Sequence, residues 1–199
     1  MIVSIRIAGS GGQGAVLSGI ILANAAVLYE DKHATQKDRK FAIQTQSYGP
    51  EVRGTVSRSD VKISDEQISY PYVRTPDYFI VLSEQAYKQH VQEIGPKTII
   101  LLDRDLVNSR PQSGFHEVPA HAIAEEMGKP VVANIVMLGA WCGLTKLVSW
   151  EALEKAVLEA VPRGSEALNM EAMQRGYEIG VNAAKAKENA QAHRPQPDA

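Results

Sequence analysis

Cysteine is nearly absent from this sequence. The one cysteine among 199 residues, Cys142, lies in the apolar stretch AWCGL. A single thiol excludes a disulfide framework and a cysteine-rich metal site within the chain. It also excludes a cysteine-ligated iron–sulfur cluster held by this chain alone, because such clusters take several thiolate ligands.

Three further features are missing, and each absence argues against one class of protein. No apolar run approaches the length of a membrane-spanning helix. The first residues lack the charged and apolar regions of a secretory signal peptide. The formal net charge of −2 gives no sign of a nucleic-acid-binding surface. We therefore expect a cytoplasmic protein that binds neither membranes nor nucleic acid.

The overall composition is that of an ordinary globular protein. Hydrophobic residues make up 44% of the chain and charged residues 22%, so a core of normal size can form. The length of 199 residues is compatible with one domain. We expect a single α/β domain over residues 1–187 and a polar, disordered tail over residues 188–199.

The first unusual stretch runs from Ile2 to Leu22. Alternating apolar residues up to Ile7 predict a strand, and the helical pattern that begins at Ala15 predicts a helix from about Gln13 to Tyr29. The glycine loop between them consists of Gly9, Ser10, Gly11, Gly12, Gln13 and Gly14. Gly11 and Gly12 can take positive φ without steric penalty, which allows a very tight turn. Because unpaired N–H groups and the helix dipole would point at whatever lies over it, this arrangement favours an anion site.

Two interpretations of the glycine loop stay open. Its glycines fit the G-x-G-x-x-G dinucleotide fingerprint, which also requires an acidic residue roughly 20 residues on, after a second strand. The predicted second strand, about His33–Gln36, runs into Lys37, and Asp31 and Asp38 lie before and after it. The ribose partner is therefore missing from its expected place, and a tight turn that binds nothing is the alternative.

The second unusual stretch is QTQSYGPEVRG, over residues 44–54. Tyr48 precedes Gly49-Pro50, a strong turn signal, and Gly54 closes the stretch. Glu51 and Arg53 lie close enough to pair with each other or with a partner surface. In the extended segment that follows, the apolar residues change face, which predicts a β-bulge.

The remainder of the chain alternates strands with helices. A strand over 78–82, a helix capped by Ser83 and ending near Val91, and a strand over 98–102 predict a parallel crossover. Asp103 follows that strand, where α/β sites gather, but it is more simply explained as a turn residue. Further predictions are a strand over 115–118 and helices over 121–127, 134–144, 150–161 and 165–187, with Ser149 and Ser165 as caps.

No catalytic constellation is visible. The five histidines show no metal-ligand spacing. Ser10 is not centred in the G-x-S-x-G pattern that a nucleophile elbow needs. We assign no catalytic residue and no metal ligand, and the absence favours a chain that acts within a larger assembly.

Several of these motifs together resemble a known family. GSGGQG at residues 9–14, SYGPEVRG at 47–54 and SRSDV at 57–61 are similar to the gamma subunit of 2-oxoacid:ferredoxin oxidoreductases. VANIVMLGAW at 132–141 and the pattern over 169–180 fit as well, so the resemblance covers residues 1–186. The second and third motifs look most like the subfamily that acts on 2-oxoglutarate, whereas relatives act on pyruvate or aromatic 2-oxoacids. Two departures are Thr55, where the family commonly has a glycine, and the charged segment Lys37–Lys40.

The resemblance implies a three-layer α/β/α domain with a mostly parallel sheet, packed against alpha and beta subunits, with or without a delta subunit. It implies oxidative decarboxylation of a 2-oxoacid with coenzyme A and ferredoxin, which gives an acyl-CoA, carbon dioxide and reduced ferredoxin. Thiamine diphosphate, magnesium and iron–sulfur clusters would lie on partner subunits. No cofactor would be bound by this chain alone, which would be inactive by itself.

The resemblance leaves the role of the two unusual stretches open. In one hypothesis the glycine loop and Arg53 help to hold coenzyme A, because backbone N–H groups and a guanidinium suit its phosphates. In the other, both loops are subunit contacts, formed through Tyr48, Gly49, Pro50, Glu51 and Gly54. A stand-alone NAD- or nucleotide-binding protein and a non-catalytic adaptor are the alternative functions.

Overall fold

The computed structural model describes residues 1–30, 40–48, 55–112 and 114–192. Its strands are β1 (Ile2–Ser10), β2 (Phe41–Tyr48), β3 (Val56–Ser64), β4 (Tyr78–Val81), β5 (Ile99–Asp103) and β6 (Phe115–Val118). Its α-helices are α1 (Ala15–Asn24), α2 (Glu84–His90), α3 (Ala120–Glu126), α4 (Ala133–Thr145), α5 (Trp150–Ala160) and α6 (Glu166–Ala192). A π-helical turn (Ala25–Tyr29) extends α1, and 3-10 turns lie at Val91–Glu93 and Pro130–Val132.

The six strands form one mixed sheet in the order β2-β3-β1-β4-β5-β6. Strands β1, β4, β5 and β6 are parallel, as the predicted crossover requires, whereas β3 pairs antiparallel with both β1 and β2. One face packs against α1 and α3–α6, and α2 covers the opposite face. The α/β fold with helices on both sides of the sheet is therefore confirmed.

Most predicted elements are present, with small shifts at their ends. Ser83 and Ser149 cap α2 and α5, since their hydroxyls accept hydrogen bonds from Ala86 N and Ala152 N. The first helix begins at Ala15 rather than Gln13. Helix α6 continues to Ala192, beyond the expected end near residue 187, and residues 193–199 of the expected tail lie outside the described residues.

The predicted bulge in β3 is wrong. Strands β1 and β3 pair residue for residue from Ile2–Ser64 to Ser10–Val56. Apolar residues change phase along β3 because both of its faces are covered: Val56 packs in the cluster beside α2, and Val61 packs in the cluster beside α1. Two-sided burial thus produced the pattern that suggested a bulge.

A buried ion cluster accounts for the charged residue Asp60 in the middle of β3. Arg6 of β1 is fully buried, and its Nε and Nη2 donate to the two carboxylate oxygens of Asp60 at 2.8 and 3.1 Å. Its Nη1 donates to Glu93 Oε2 at 2.5 Å. Because Asp60 lies opposite Arg6 in the β1–β3 pairing, each buried charge meets its partner without distortion of the strands.

Candidate binding site at the glycine loop

The glycine loop connects β1 to α1 at a switch point of the sheet. Strand β1 is followed by α1 on one face, and the neighbouring parallel strand β4 is followed by α2 on the other. In open α/β sheets, ligands bind in the crevice outside the carboxyl ends of two such strands. The fold therefore places this loop where a binding site is expected.

Gln13 fixes the loop against the sheet. Its Oε1 accepts a hydrogen bond from Ser10 N at 2.7 Å, and its Nε2 donates to Leu82 O at 2.9 Å. Gly11 N donates to Thr55 O at 2.8 Å, which joins the loop to the start of β3. The loop is thus held to the ends of both β4 and β3, and its conformation is set before any ligand arrives.

Two glycines of the loop take positive φ. Gly12 has φ 93° and Gly14 has φ 76°. These are not the pair named from the sequence, since Gly11 does not adopt positive φ. A Cβ on Gly14 would lie 2.4 Å from Nδ2 of Asn134, whereas a Cβ on Gly12 would meet nothing within 4 Å. Gly14 is therefore required by both conformation and space, and Gly12 by conformation alone.

Asn134 of α4 is a residue that the sequence prediction missed. It is 4% exposed, and its Nδ2 donates to Gly14 O at 3.4 Å and to Ser18 Oγ at 3.2 Å. It thus joins the first turn of α1 to the start of α4. The sequence carries only an asparagine at the start of an apolar run, and only the fold shows that α4 begins beside the glycine loop.

A cleft of about 260 Å³ opens beside the loop. Its lining residues are Gly12, Gln13, Leu82, His121, Pro130, Val131 and Ala133. The first-turn amides of α1 have no intrahelical carbonyl partner, so they remain available to an acceptor. An anionic or carbonyl-bearing group beside an apolar one would fit these walls. His121 is its one titratable side chain among the described residues, and Nε2 of that histidine lies 3.2 Å from Glu125 Oε1.

Asp103 serves as a turn residue, as expected. Its Oδ1 accepts from the amides of Asp105 at 3.0 Å and Leu106 at 3.3 Å, and its Oδ2 accepts from His121 N at 3.0 Å. Burial raises the pKa of this carboxyl. Asp103 therefore positions the start of α3, which brings His121 to the cleft.

The second motif adjoins the loop. Ser57 of β3 pairs with Gly9 on one side and with Tyr48 on the other. The strands on either side of residues 49–54 thus reach the end of the sheet that carries the glycine loop. Gly49, Pro50, Glu51, Arg53 and Gly54 lie outside the described residues, as does the predicted strand over residues 33–36.

The described part of the chain lacks two kinds of feature. Within it, no helix is long and apolar enough to cross a membrane. The same ranges contain no group of three or more His, Cys, Asp or Glu side chains that could hold a metal ion.

Comparison with known proteins identifies the family. The family model described as pyruvate ferredoxin/flavodoxin oxidoreductase matches residues 4–179. The 2-oxoglutarate synthase subunit KorC of Methanocaldococcus jannaschii is 47% identical over 180 residues, which are 88% of this chain and 92% of that protein. The pyruvate synthase subunit PorC of Methanothermobacter marburgensis is 36% identical over 180 residues, which are 88% of this chain and 96% of that protein.

A solved structure of similar size shows the same fold. The gamma subunit of a keto/oxoacid ferredoxin oxidoreductase from Geobacter sulfurreducens superposes with a TM-score of 0.78 at 37% identity. The match covers 92% of this chain and 98% of that one. With a matched family model over most of its length and relatives of its own size, the chain belongs to the pyruvate ferredoxin/flavodoxin oxidoreductase family.

Proposed function

We propose that this chain is the gamma subunit of a 2-oxoacid:ferredoxin oxidoreductase that acts on 2-oxoglutarate. The assembled enzyme would decarboxylate the 2-oxoacid oxidatively, pass the acyl group to coenzyme A and reduce ferredoxin. The observation that carries the proposal is the 47% identity to a 2-oxoglutarate synthase subunit, against 36% for the pyruvate synthase subunit. The proposed substrate, 2-oxoglutarate, is taken from the names of these relatives.

The chain contributes to this reaction without holding its redox centres. Its one cysteine, Cys142, is fully buried in α4, and Sγ of that residue lies 3.2 Å from Val148 O, to which it donates. Burial raises the pKa of the Cys142 thiol to about 12, so it stays protonated at neutral pH. In this proposal the iron–sulfur clusters lie on partner subunits, and so do the thiamine diphosphate and magnesium that the family resemblance implies.

Co-expression tests the assignment. The full chain is produced with candidate alpha and beta subunits, with and without delta, and the mixture is separated by size exclusion and identified by mass spectrometry. A stable complex that contains thiamine diphosphate supports the proposal. A chain that elutes alone in every combination contradicts it.

We further propose that the glycine loop and Arg53 bind the phosphate groups of coenzyme A. Support comes from the free first-turn amides of α1, the apolar wall of the adjoining cleft and the ends of β2 and β3 beside the loop. The alternative, a stand-alone dinucleotide-binding protein, is disfavoured by the topology. The second strand of that fold lies parallel to the first, but here antiparallel β3 lies beside β1.

Replacing Gly12 by Ala tests the coenzyme A site. Since a Cβ at Gly12 meets nothing within 4 Å, the substitution perturbs the loop mainly through its φ of 93°. In the assembled enzyme we expect the KM for coenzyme A to rise about tenfold while the KM for the 2-oxoacid stays unchanged. Gly164→Ala is the matched control, because Gly164 has φ 88° and equally open surroundings but lies between α5 and α6. If Gly12→Ala impairs only subunit assembly, the loop is an interface and the coenzyme A role is wrong.

A further inference from the structure

A second concave site lies at the other end of β1. It is an open groove of about 470 Å³. Its lining residues are Ile2, Ser4, Lys62, Tyr70, Tyr72, Val73, Arg74 and Thr75. We call it the tyrosine groove. Because β1 runs for nine residues between Ile2 and Ser10, the length of the strand separates the groove from the glycine loop.

The wall of the tyrosine groove is held in place by the sheet beneath it. Lys62 Nζ donates to Tyr70 O at 2.8 Å. The buried Arg6, held by Asp60, donates through Nη2 to Val73 O at 2.8 Å. The segment over residues 70–75 has no regular secondary structure. Its backbone is nevertheless held in place by side chains of β1 and β3.

The groove carries two cations that form no ion pair with the described residues, and the carboxylate of Asp77 is hydrogen-bonded to its lining residue Ser4. The charged groups of Lys62 and Arg74 lie 5.2 and 6.0 Å from the ring centre of Tyr70. Arg74 forms no ion pair or hydrogen bond with the described residues, and no aspartate or glutamate is among the described residues that line the groove. Two cations therefore lie close enough together to meet one short anionic segment.

The groove is also rich in exposed apolar and aromatic surface. Tyr70 and Tyr72 are 50% and 62% exposed, and their rings contact each other edge to face at 5.5 Å. Ile2 of the groove is 56% exposed, and Phe41, which does not line the groove, is 45% exposed. Both residues are paired with Ser64, so their side chains lie on the same face of the sheet. Tyrosine and arginine beside exposed apolar residues are typical of protein interfaces.

We propose that the tyrosine groove binds an extended acidic segment of a partner protein. Carboxylates of the segment pair with Arg74 and Lys62, and its apolar side chains pack on Ile2 and Tyr72. Charge complementarity selects an acidic partner. A peptide fits better than a small anion, because a small anion would use the two cations alone and leave the apolar surface exposed to water.

Peptide selection on the purified full chain tests the proposal directly. The chain is screened against an array of random peptides, and the affinity of selected peptides is measured by fluorescence polarisation. We expect acidic peptides with interspersed apolar residues to be selected, and their binding to weaken as salt is raised. The result does not depend on which oxidoreductase the chain serves, so failure here is distinct from failure of the proposed function.

Three variants make the outcome specific. Arg74→Glu and Tyr72→Ala should each weaken binding at least tenfold, whereas Lys155→Glu, an exposed charge reversal on α5, should not. All three positions are exposed, so we expect the substitutions to leave the fold intact. Urea unfolding curves that match the wild-type curve check this. The proposal is overturned if acidic peptides are not enriched, or if Arg74→Glu binds as Lys155→Glu does. Binding of citrate alone with the same affinity as the best peptides also overturns it, since the groove would then be a small-anion site.

Discussion

At the scale of single residues, Gly14 sets the geometry of the glycine loop most strictly. We predict that Gly14→Ala destabilises the chain by about 2 kcal/mol more than Gly164→Ala. Both positions have positive φ, but only at Gly14 does the new Cβ collide, 2.4 Å from Asn134 Nδ2. Urea unfolding of the isolated chain measures the difference. Equal costs would mean that Asn134 moves aside freely and does not lock the loop.

A second residue-scale prediction concerns His90, which lies 4% exposed at the end of α2. Desolvation by burial lowers its pKa below the usual value, although Nδ1 lies 2.8 Å from Glu93 Oε1 and that contact acts in the opposite direction. The unfolded chain therefore binds more protons than the folded chain below about pH 6.5. The contribution of His90 to stability is full above that pH and falls as the pH drops towards the folded-state pKa.

His90→Gln separates this contribution from that of other groups. We expect the free energy of unfolding of the wild-type chain to fall as the pH is lowered from about 7.5 to about 5.5, a range that spans the ordinary pKa of histidine. His90→Gln should lose less stability than the wild-type chain over this pH range. It should keep some pH dependence, because burial also lowers the pKa of His116. The comparison uses slopes against pH, which are insensitive to a constant cost of the substitution. Parallel slopes for the two proteins would refute the assignment to His90.

Residue-scale features divide into those that the sequence predicts and those that it does not. The glycine loop, the cap Ser149 and the turn residue Asp103 could be predicted, because the sequence signal of each is local, although Asp103 also contacts the distant His121 N. Asn134 could not, since its partners Gly14 and Ser18 are more than a hundred residues away. Gly19 is a second such case, because a Cβ there would lie 1.9 Å from Oγ of the distant Ser59.

At the scale of elements, α4 and α6 cross at a contact made of glycines. A Cβ on Gly139 would lie 2.1 Å from Met173 O, and one on Gly176 would lie 2.0 Å from Val136 O. Gly143 and Gly180 repeat the arrangement one turn along each helix. The two backbones thus touch, and α4, apolar on all sides, is buried between α6 and the sheet.

This contact yields an element-scale prediction. In an exposed helix, Gly→Ala raises stability by roughly 0.5–1 kcal/mol. At Gly139 we expect the opposite sign, a loss of at least about 3 kcal/mol or failure to fold, because the backbones must separate. Asn182→Ala, on the exposed side of α6, is the control and should leave stability unchanged or slightly higher. Thermal unfolding measures both variants, and a stable Gly139→Ala chain would show that the helices are not in backbone contact.

Strand β2 shows where sequence patterns fail for a whole element. Residues 44–48 belong to the second unusual stretch, where the sequence predicts no strand, but Phe41–Tyr48 form the strand at one edge of the sheet. In its sequence, FAIQTQSY, three apolar residues stand consecutively at the start and polar residues follow, so the alternation of a half-buried strand is weak. Pairing with β3 along its whole length holds it in place, and that partner is not visible in the strand's own sequence.

At the scale of the whole molecule, a cleft and a groove lie at opposite ends of one central strand. The glycine loop begins at Gly9, at the carboxyl end of β1 and beside β3 and β4, and the tyrosine groove begins at Ile2. A partner that occupies the groove would therefore leave the cleft beside the loop open. We expect acidic peptides that saturate the groove to leave the KM for coenzyme A of the assembled enzyme unchanged. A competitive effect would place both ligands at one site.

The central claim is that this chain completes a coenzyme A-dependent 2-oxoacid oxidoreductase and has no activity by itself. An omission assay tests it most directly: reduction of ferredoxin is followed with 2-oxoglutarate and coenzyme A, using the chain alone, the partner subunits alone, and all subunits together. The account predicts turnover only in the complete mixture, with 2-oxoglutarate preferred over pyruvate. Turnover by the isolated chain, or full turnover by the partner subunits without it, would contradict the account.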